Sequence, residues 1–264
     1  MKLEPVKPKD GGPLDDKDAR AKTKSGDELE RATARECERL GKLQHMLYAD
    51  ARHALLIVLQ GRDAGGKDGT IRKVFEAVDP QGCDVTAFGP PTPYERRHDF
   101  LWRVHQHAPP RGMVGIFNRS HYEDVLVPRV HGQISGKECR RRYDQIADFE
   151  RMLVENGTVV LKFFLHISRA EQKRRLTARL TDETKNWKFR AGDLDDRKRW
   201  DAFTEAYRDA IEATSTKQAP WYVVPGDDKG VRNWLIARAI ADALAELDLR
   251  YPPADPDVLE LKVE

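Results

Sequence analysis

Short apolar runs alternate with helix-patterned stretches along most of this chain, and that alternation restricts the fold more than any other feature. Strand-like runs fall at residues 54–60, 83–88, 113–117, 158–167 and 221–224. Helical patterning fills the intervals at 67–77, 94–106, 137–155, 169–180, 197–214 and 231–249. One more helix is expected at 27–48, where Leu29, Ala32, Leu40, Leu43 and Leu47 recur among charged residues. A strand buried on both faces reads as a continuous apolar run, and parallel neighbours need a crossover helix between them. The expectation is an α/β fold with a parallel sheet covered by helices on both faces. A chain of 264 residues buries enough core for this without a metal or disulfide staple.

The expected organisation has three parts: an N-terminal arm or disordered tail over 1–26, rich in Lys, Asp, Gly and Pro; one domain over 27–250; and a C-terminal tail over 251–264. Cys37, Cys83 and Cys139 are far apart, odd in number and without metal-site spacing, which points to a reducing compartment. The N-terminus lacks an apolar signal core, and the apolar runs at 54–59 and 158–167 are too short to cross a bilayer. A cytoplasmic protein without membrane attachment is expected.

The strongest local motif is Gly61-Arg62-Asp63-Ala64-Gly65-Gly66-Lys67-Asp68, a G-x-x-x-x-G-K loop between a strand and a helix. Glycines let backbone amides approach phosphate oxygens, and the helix N-terminus adds unpaired N–H groups and a favourable dipole. Lys67 supplies a charge that can follow a phosphoryl group in transfer. Phosphate-loop roles are assigned to Gly61, Ala64, Gly65, Gly66, Lys67 and Asp68. The Ser or Thr that usually follows the lysine is replaced by Asp68. Asp63, inside a loop built for anions, is best explained as a Mg²⁺ ligand or an acid–base group, with a turn aspartate as the alternative.

The third strand ends at Asn118-Arg119-Ser120-His121-Tyr122-Glu123-Asp124. Ligands of open α/β sheets sit at the carboxyl ends of strands, so this segment should face the loop, with Arg119 forking onto the phosphate of an acceptor nucleotide. Further on, Arg169, Lys173, Arg174, Arg175, Arg179, Lys185, Lys188 and Arg190 face only Glu171, Asp182 and Glu183. The net charge of +2 makes the whole molecule nearly neutral. A local anionic ligand is therefore one reading of the segment, and a solvated helix face is the other. Base stacking on Trp187, Trp200 or Trp221 is weighed against ordinary packing, which is favoured.

Five motifs occur in one order: QGRDAGGKDGTI at 60–71, HDFLWR at 98–103, FNRSHY at 117–122, WKF at 187–189 and APWYVVP at 219–225. Together they resemble the family-2 polyphosphate kinases over about residues 27–245. The resemblance implies a thymidylate-kinase-like three-layer α/β/α P-loop kinase fold with a basic helical lid at about 169–196. It implies dependence on Mg²⁺, or Mn²⁺ in its place, and assembly into a homo-oligomer. Asp63, Lys67 and Arg119 match its catalytic positions, with Asp63 the metal ligand. Asn118, Arg119, Glu123 and Arg129 are expected around the nucleotide, and Arg174, Arg175, Arg179, Lys185 and Lys188 along the phosphate chain. Asn118 replaces an Asp frequent in relatives, and Glu123-Asp124 replace Asn-Arg. The NRSHYED form resembles the subgroup that accepts both AMP and ADP, which makes Glu123 a candidate for admitting AMP or simply a helix cap.

The expected reaction is direct, in-line phosphoryl transfer between inorganic polyphosphate and AMP, ADP or ATP, without a phosphohistidine. The rivals are an ATP-dependent nucleotide or small-molecule kinase on the same fold, and a polyanion or nucleic-acid binder using the basic segment. No specific nucleic acid partner is expected.

Overall fold

The computed structural model describes residues 1–259 and contains one five-stranded, wholly parallel sheet in the order β2-β3-β1-β4-β5. The strands are β1 (Ala54–Gln60), β2 (Cys83–Ala87), β3 (Val114–Asn118), β4 (Thr158–His166) and β5 (Trp221–Pro225). β1 is the middle strand and is buried along its whole length. Its residues divide by the strand's period of two. Leu55, Ile57 and Leu59 enter one core with α1 (Gly26–Asp50), α2 (Lys67–Val74) and α9 (Lys229–Ala245). Leu56 and Val58 enter the other with α4 (Glu123–Val130), α5 (Gly136–Glu155) and α8 (Trp200–Thr214). Three layers result, as the alternation of apolar runs predicts. Each fully buried aliphatic side chain of β1 contributes roughly 2 kcal/mol of transfer free energy.

Three helical expectations need revision. Residues 94–106 form a 3₁₀ turn, Glu95–Arg97, and then the short α3, Trp102–His105. The break follows from Asp99, whose carboxylate accepts from the amides of Leu101 and Trp102, both at 3.0 Å, and so starts a new helix. The helix expected over 197–214 is two, α7 (Ala191–Lys198) and α8, separated at Arg199. α4 has no counterpart in the sequence-based reading, and it contains Pro128. Proline cannot donate to the carbonyl of Asp124, but Arg142 Nη1 does so at 2.8 Å.

Residues 1–25 lie against β5 and the carboxyl end of β4, with Leu3, Val6, Leu14 and Ala19 buried. Val6 N donates to Trp221 O at 2.7 Å, and Ser215 Oγ donates to Val6 O at 2.7 Å. A packed arm of this kind also shields the edge strand. At the other end Tyr251 meets His45, and α10 (Pro256–Leu259) follows; residues 260–264 of the expected tail lie outside the described residues.

Candidate active site

The loop from Gly61 to Gly66 leaves β1 where the chain's crossovers diverge, toward β3 on one side and β4 on the other, which is where an open α/β sheet forms its ligand crevice. Gly66 caps α2 at φ 103°, a conformation that favours glycine, and a Cβ there would lie 2.2 Å from Arg232 Nη1. The loop's carbonyls are held from outside. Arg175 Nη1 donates to Ala64 O and Gly65 O, both at 3.1 Å, Gln172 Nε2 to Asp63 O at 3.1 Å, and Arg232 Nη1 to Gly65 O at 3.4 Å. With the carbonyls so engaged, the amides are left for a ligand. Among the described residues, only Gly65 N of the amides from Arg62 to Gly66 donates within the protein, to Arg62 O at 2.9 Å.

Lys67 folds back over this nest, its Nζ 2.6 Å from Gly61 O and 3.4 Å from Arg62 O. Burial, reinforced by the charge of Arg119, pulls its ammonium down to about 8, against the attraction of Asp63 and Glu123. An anion in the loop would restore the charged form.

Arg119 follows β3 in the left-handed region at φ 63°, as Ala64 does at φ 61° within the loop. Such conformations cost about 1–3 kcal/mol each and cluster at functional sites. The guanidinium of Arg119 is forked between Asp63 Oδ1 (2.8 Å) and Glu123 Oε2 (3.0 Å). Glu123 and, against burial, Asp63 raise its pKa further above the usual arginine range. Beside it Asp68 accepts from Asn118 Nδ2 at 3.0 Å and Lys188 Nζ at 2.6 Å. Burial opposes ionisation of Asp68, but these two hydrogen bonds together with the charges of Lys188 and Lys67 outweigh it and hold the carboxyl below its usual range. The structure therefore brings together Asp63, Lys67, Asp68, Asn118, Arg119, Glu123 and Lys188.

Other expected site residues are engaged elsewhere. Arg175, on α6 (Arg169–Thr181), clamps the loop's backbone and also donates to Gly226 O and Asp227 O. Arg174 is exposed and doubly bonded to Glu171, while Lys185 pairs with Asp182 on its own turn. Arg179 faces Asp193 at 3.4 Å. Arg129 of α4 is bonded to Tyr143 of α5 and Asp209 of α8 at 3.2 and 2.5 Å.

Several contributors went unread in the sequence. Arg232 and Gln172 support the loop, yet nothing local marks them. Arg62 lies inside the motif itself: its guanidinium stacks 3.7 Å over Trp200, and burial pulls its pKa down to about 10. Asp193 is pushed up, first by burial and then by the charge of Asp63, so a carboxyl of α7 lies within electrostatic reach of the loop. A small cleft opens beside Asp63 and Arg119, lined also by Glu123 and Gln172 and by the apolar side chains of Leu126, Val127, Trp200 and Phe203. Trp187, by contrast, is 76% exposed.

A nest of free amides, a buried lysine folded onto it and a forked arginine at the switch point of a parallel sheet define a P-loop phosphotransferase. Residues 23–251 match the family described as Polyphosphate kinase 2 (PPK2), and the chain belongs to that family. It is 51% identical over 226 residues to an AMP/ADP-polyphosphate phosphotransferase of Meiothermus ruber, covering 86% of this chain and 85% of that one. It is 44% identical to an ADP-polyphosphate phosphotransferase of Rhodopseudomonas palustris, covering 83% and 80%. Among solved structures, polyphosphate kinase 2 from Arthrobacter aurescens superposes with a TM-score of 0.90 at 41% identity, covering 98% of this chain and 96% of that one. Among the described residues no helix is long and apolar enough to cross a membrane.

Proposed function

We propose that this enzyme moves the terminal phosphoryl group of inorganic polyphosphate onto AMP and ADP, and runs the same step backwards from ATP. The observation that carries the reading is the 51% identity, across most of both chains, to a relative named for AMP/ADP and polyphosphate. The geometry agrees with it. Polyphosphate has no base to anchor it, and cations of the 169–198 segment reach the loop through Lys188 and Arg175.

The donor's terminal phosphoryl lies against the amides of 61–67, and Lys67 Nζ exchanges Gly61 O for a phosphate oxygen. Arg119 exchanges Asp63 for the acceptor's phosphate and remains anchored by Glu123. The acceptor oxygen then attacks in line. Its bond to phosphorus forms as the bridging P–O bond of polyphosphate breaks, and the shortened chain leaves with the electron pair. Asp63 released from Arg119 is an oxygen ligand suited to Mg²⁺, which is usually held by one or two carboxylates with substrate phosphates and water completing its shell. Bound Mg²⁺ would neutralise charge on the transferring group. The three free cysteines fit a cytoplasmic setting; burial pushes the thiols of Cys37 and Cys83 up to about 11.

The test is incubation with Mg²⁺ and polyphosphate, with AMP or ADP and no ATP. Formation of ADP and ATP respectively is expected. If only ATP serves as donor, the protein is an ordinary nucleotide kinase and the proposal fails.

A further inference from the structure

Residues 15–20 precede the stretch matched by the family model, 23–251, yet they are bonded to the root of α6 and its surroundings. Asp16 Oδ1 accepts from Arg169 N, the first amide of α6, at 3.2 Å. Asp15 O accepts from His166 Nε2, at the end of β4, at 2.8 Å. Arg20 Nε donates to Asp227 Oδ2 at 3.1 Å, and Asp227 N donates to Ala19 O at 3.1 Å. The same Asp227 carboxylate accepts from Ser168 N and Ser168 Oγ, both at 2.8 Å. Ser168 is the N-cap of α6 and accepts from Glu171 N at 3.2 Å. The carbonyl of Asp227 accepts from Arg175, whose other terminal nitrogen holds Ala64 O and Gly65 O. Asp227, its side chain 13% exposed, thus joins the arm to the first turn of the helix through its carboxylate, and reaches the phosphate loop through its backbone carbonyl and Arg175.

We propose that Asp227, with Asp16 and Arg20 of the arm, is the positioning device that fixes how α6 leaves β4. It touches no reacting atom. A helix N-terminus presents unsatisfied amides and positive charge, and here acids from two separate segments satisfy and orient it. Fixing that turn sets where Gln172 and Arg175 meet the loop, and where the chain beyond α6 returns Lys188 to Asp68. The inference rests on the reading that 169–198 receives polyphosphate. Arg20 is 71% exposed, so its ion pair adds little to global stability and its removal leaves a folded protein.

The experiment compares the parent with Asp16→Asn/Arg20→Ala and with Asp227→Asn. It measures KM for polyphosphate, KM for ADP, kcat, thermal midpoint, and amide hydrogen exchange with and without polyphosphate. The arm double variant is expected to raise KM for polyphosphate about 5- to 10-fold, well short of the ~100-fold loss a misplaced reacting group can cause. KM for ADP and the midpoint stay at parental values, and exchange quickens over 169–181. Asp227→Asn moves the same quantities further in the same direction. The proposal is overturned if the arm variant leaves both KM for polyphosphate and the exchange of 169–181 unchanged. It is equally overturned if all kinetic constants fall together with the midpoint, as a general structural role would produce. If polyphosphate does not protect 169–198 in the parent, the donor-site reading fails instead, and exchange of 169–181 without ligand alone decides on the anchor.

Discussion

At the carboxyl ends of the strands, Asp63, Lys67, Asp68, Arg119, Glu123 and Lys188 gather around the phosphate loop, where Asp63, Arg119 and Glu123 line a cleft. Between the sheet and α5 and α8, Glu150, Lys162, His121, Tyr122 and Thr214 form a second cluster that also sets a lysine against a carboxylate. The second cluster is closed. Lys162 is fully buried, and its ammonium donates to Glu150 Oε2 (2.5 Å), Thr214 O (2.8 Å) and Tyr122 Oη (3.2 Å), which uses all three of its protons. Glu150 also accepts from Tyr122 Oη at 2.8 Å and meets His121 Nε2 at 3.2 Å. Burial opposes its charge, but Lys162 and His121 prevail and hold the carboxyl below its usual range. In the cleft, by contrast, the partner of Lys67 is its own loop's carbonyl, and those of Arg119 are two carboxylates. Phosphate oxygens can take every one of those places. Saturated charges hold a fold together, whereas charges with replaceable partners are free to do chemistry.

Substitutions should separate the two clusters, beginning with the largest effect. Lys67→Ala is expected to lower turnover by about 10³-fold or more while the thermal midpoint stays level or rises, because a buried ammonium is removed. Steady-state kinetics beside a melting curve would check both halves, and a large loss of stability would erase the distinction drawn here. Lys162→Met should do the reverse. Leaving Glu150 buried and unpaired costs about 3–5 kcal/mol in urea unfolding, while the fraction still folded keeps near-parental kcat.

Titration of Lys67 sharpens the contrast. With its pKa near 8 in the free enzyme and raised by a bound anion, polyphosphate binding takes up a proton above pH 8. Affinity should be full below that pH and fall up to about tenfold per unit above it. Stability runs the other way: the unfolded lysine keeps its proton to about 10.5, so between 8 and 10.5 the unfolded state carries more protons and the fold gains stability as pH rises. Calorimetric titration and melting across pH 7 to 10 would show both slopes, and Lys67→Ala should abolish them. The smallest effect is expected for Arg62→Ala, which removes the stack on Trp200 and loosens the cleft wall by about 1–2 kcal/mol, read as KM for the nucleotide.

The sheet was legible because β1, β3 and β4 carry their burial in apolar runs of their own, and the phosphate loop because its chemistry is contiguous. What depends on distant partners was not. Nothing near Arg175 reveals that its guanidinium meets carbonyls at Ala64 and Gly65. Counting cations in 169–190 included Arg174 and Lys185, which Glu171 and Asp182 pair three residues away. Asp63 and Arg119 were each singled out, but their mutual bond spans 56 residues. α4 was hidden by Pro128, whose missing donor Arg142 replaces from another helix.

The central claim is that the amides and lysine of 61–67 hold the phosphate to be transferred. A crystal structure with a short polyphosphate chain tests it most directly. The account predicts a terminal phosphate against those amides, with Lys67 Nζ moved from Gly61 O onto a phosphate oxygen and Arg119 released from Asp63. A chain bound elsewhere, with Lys67 still on Gly61 O, would contradict it.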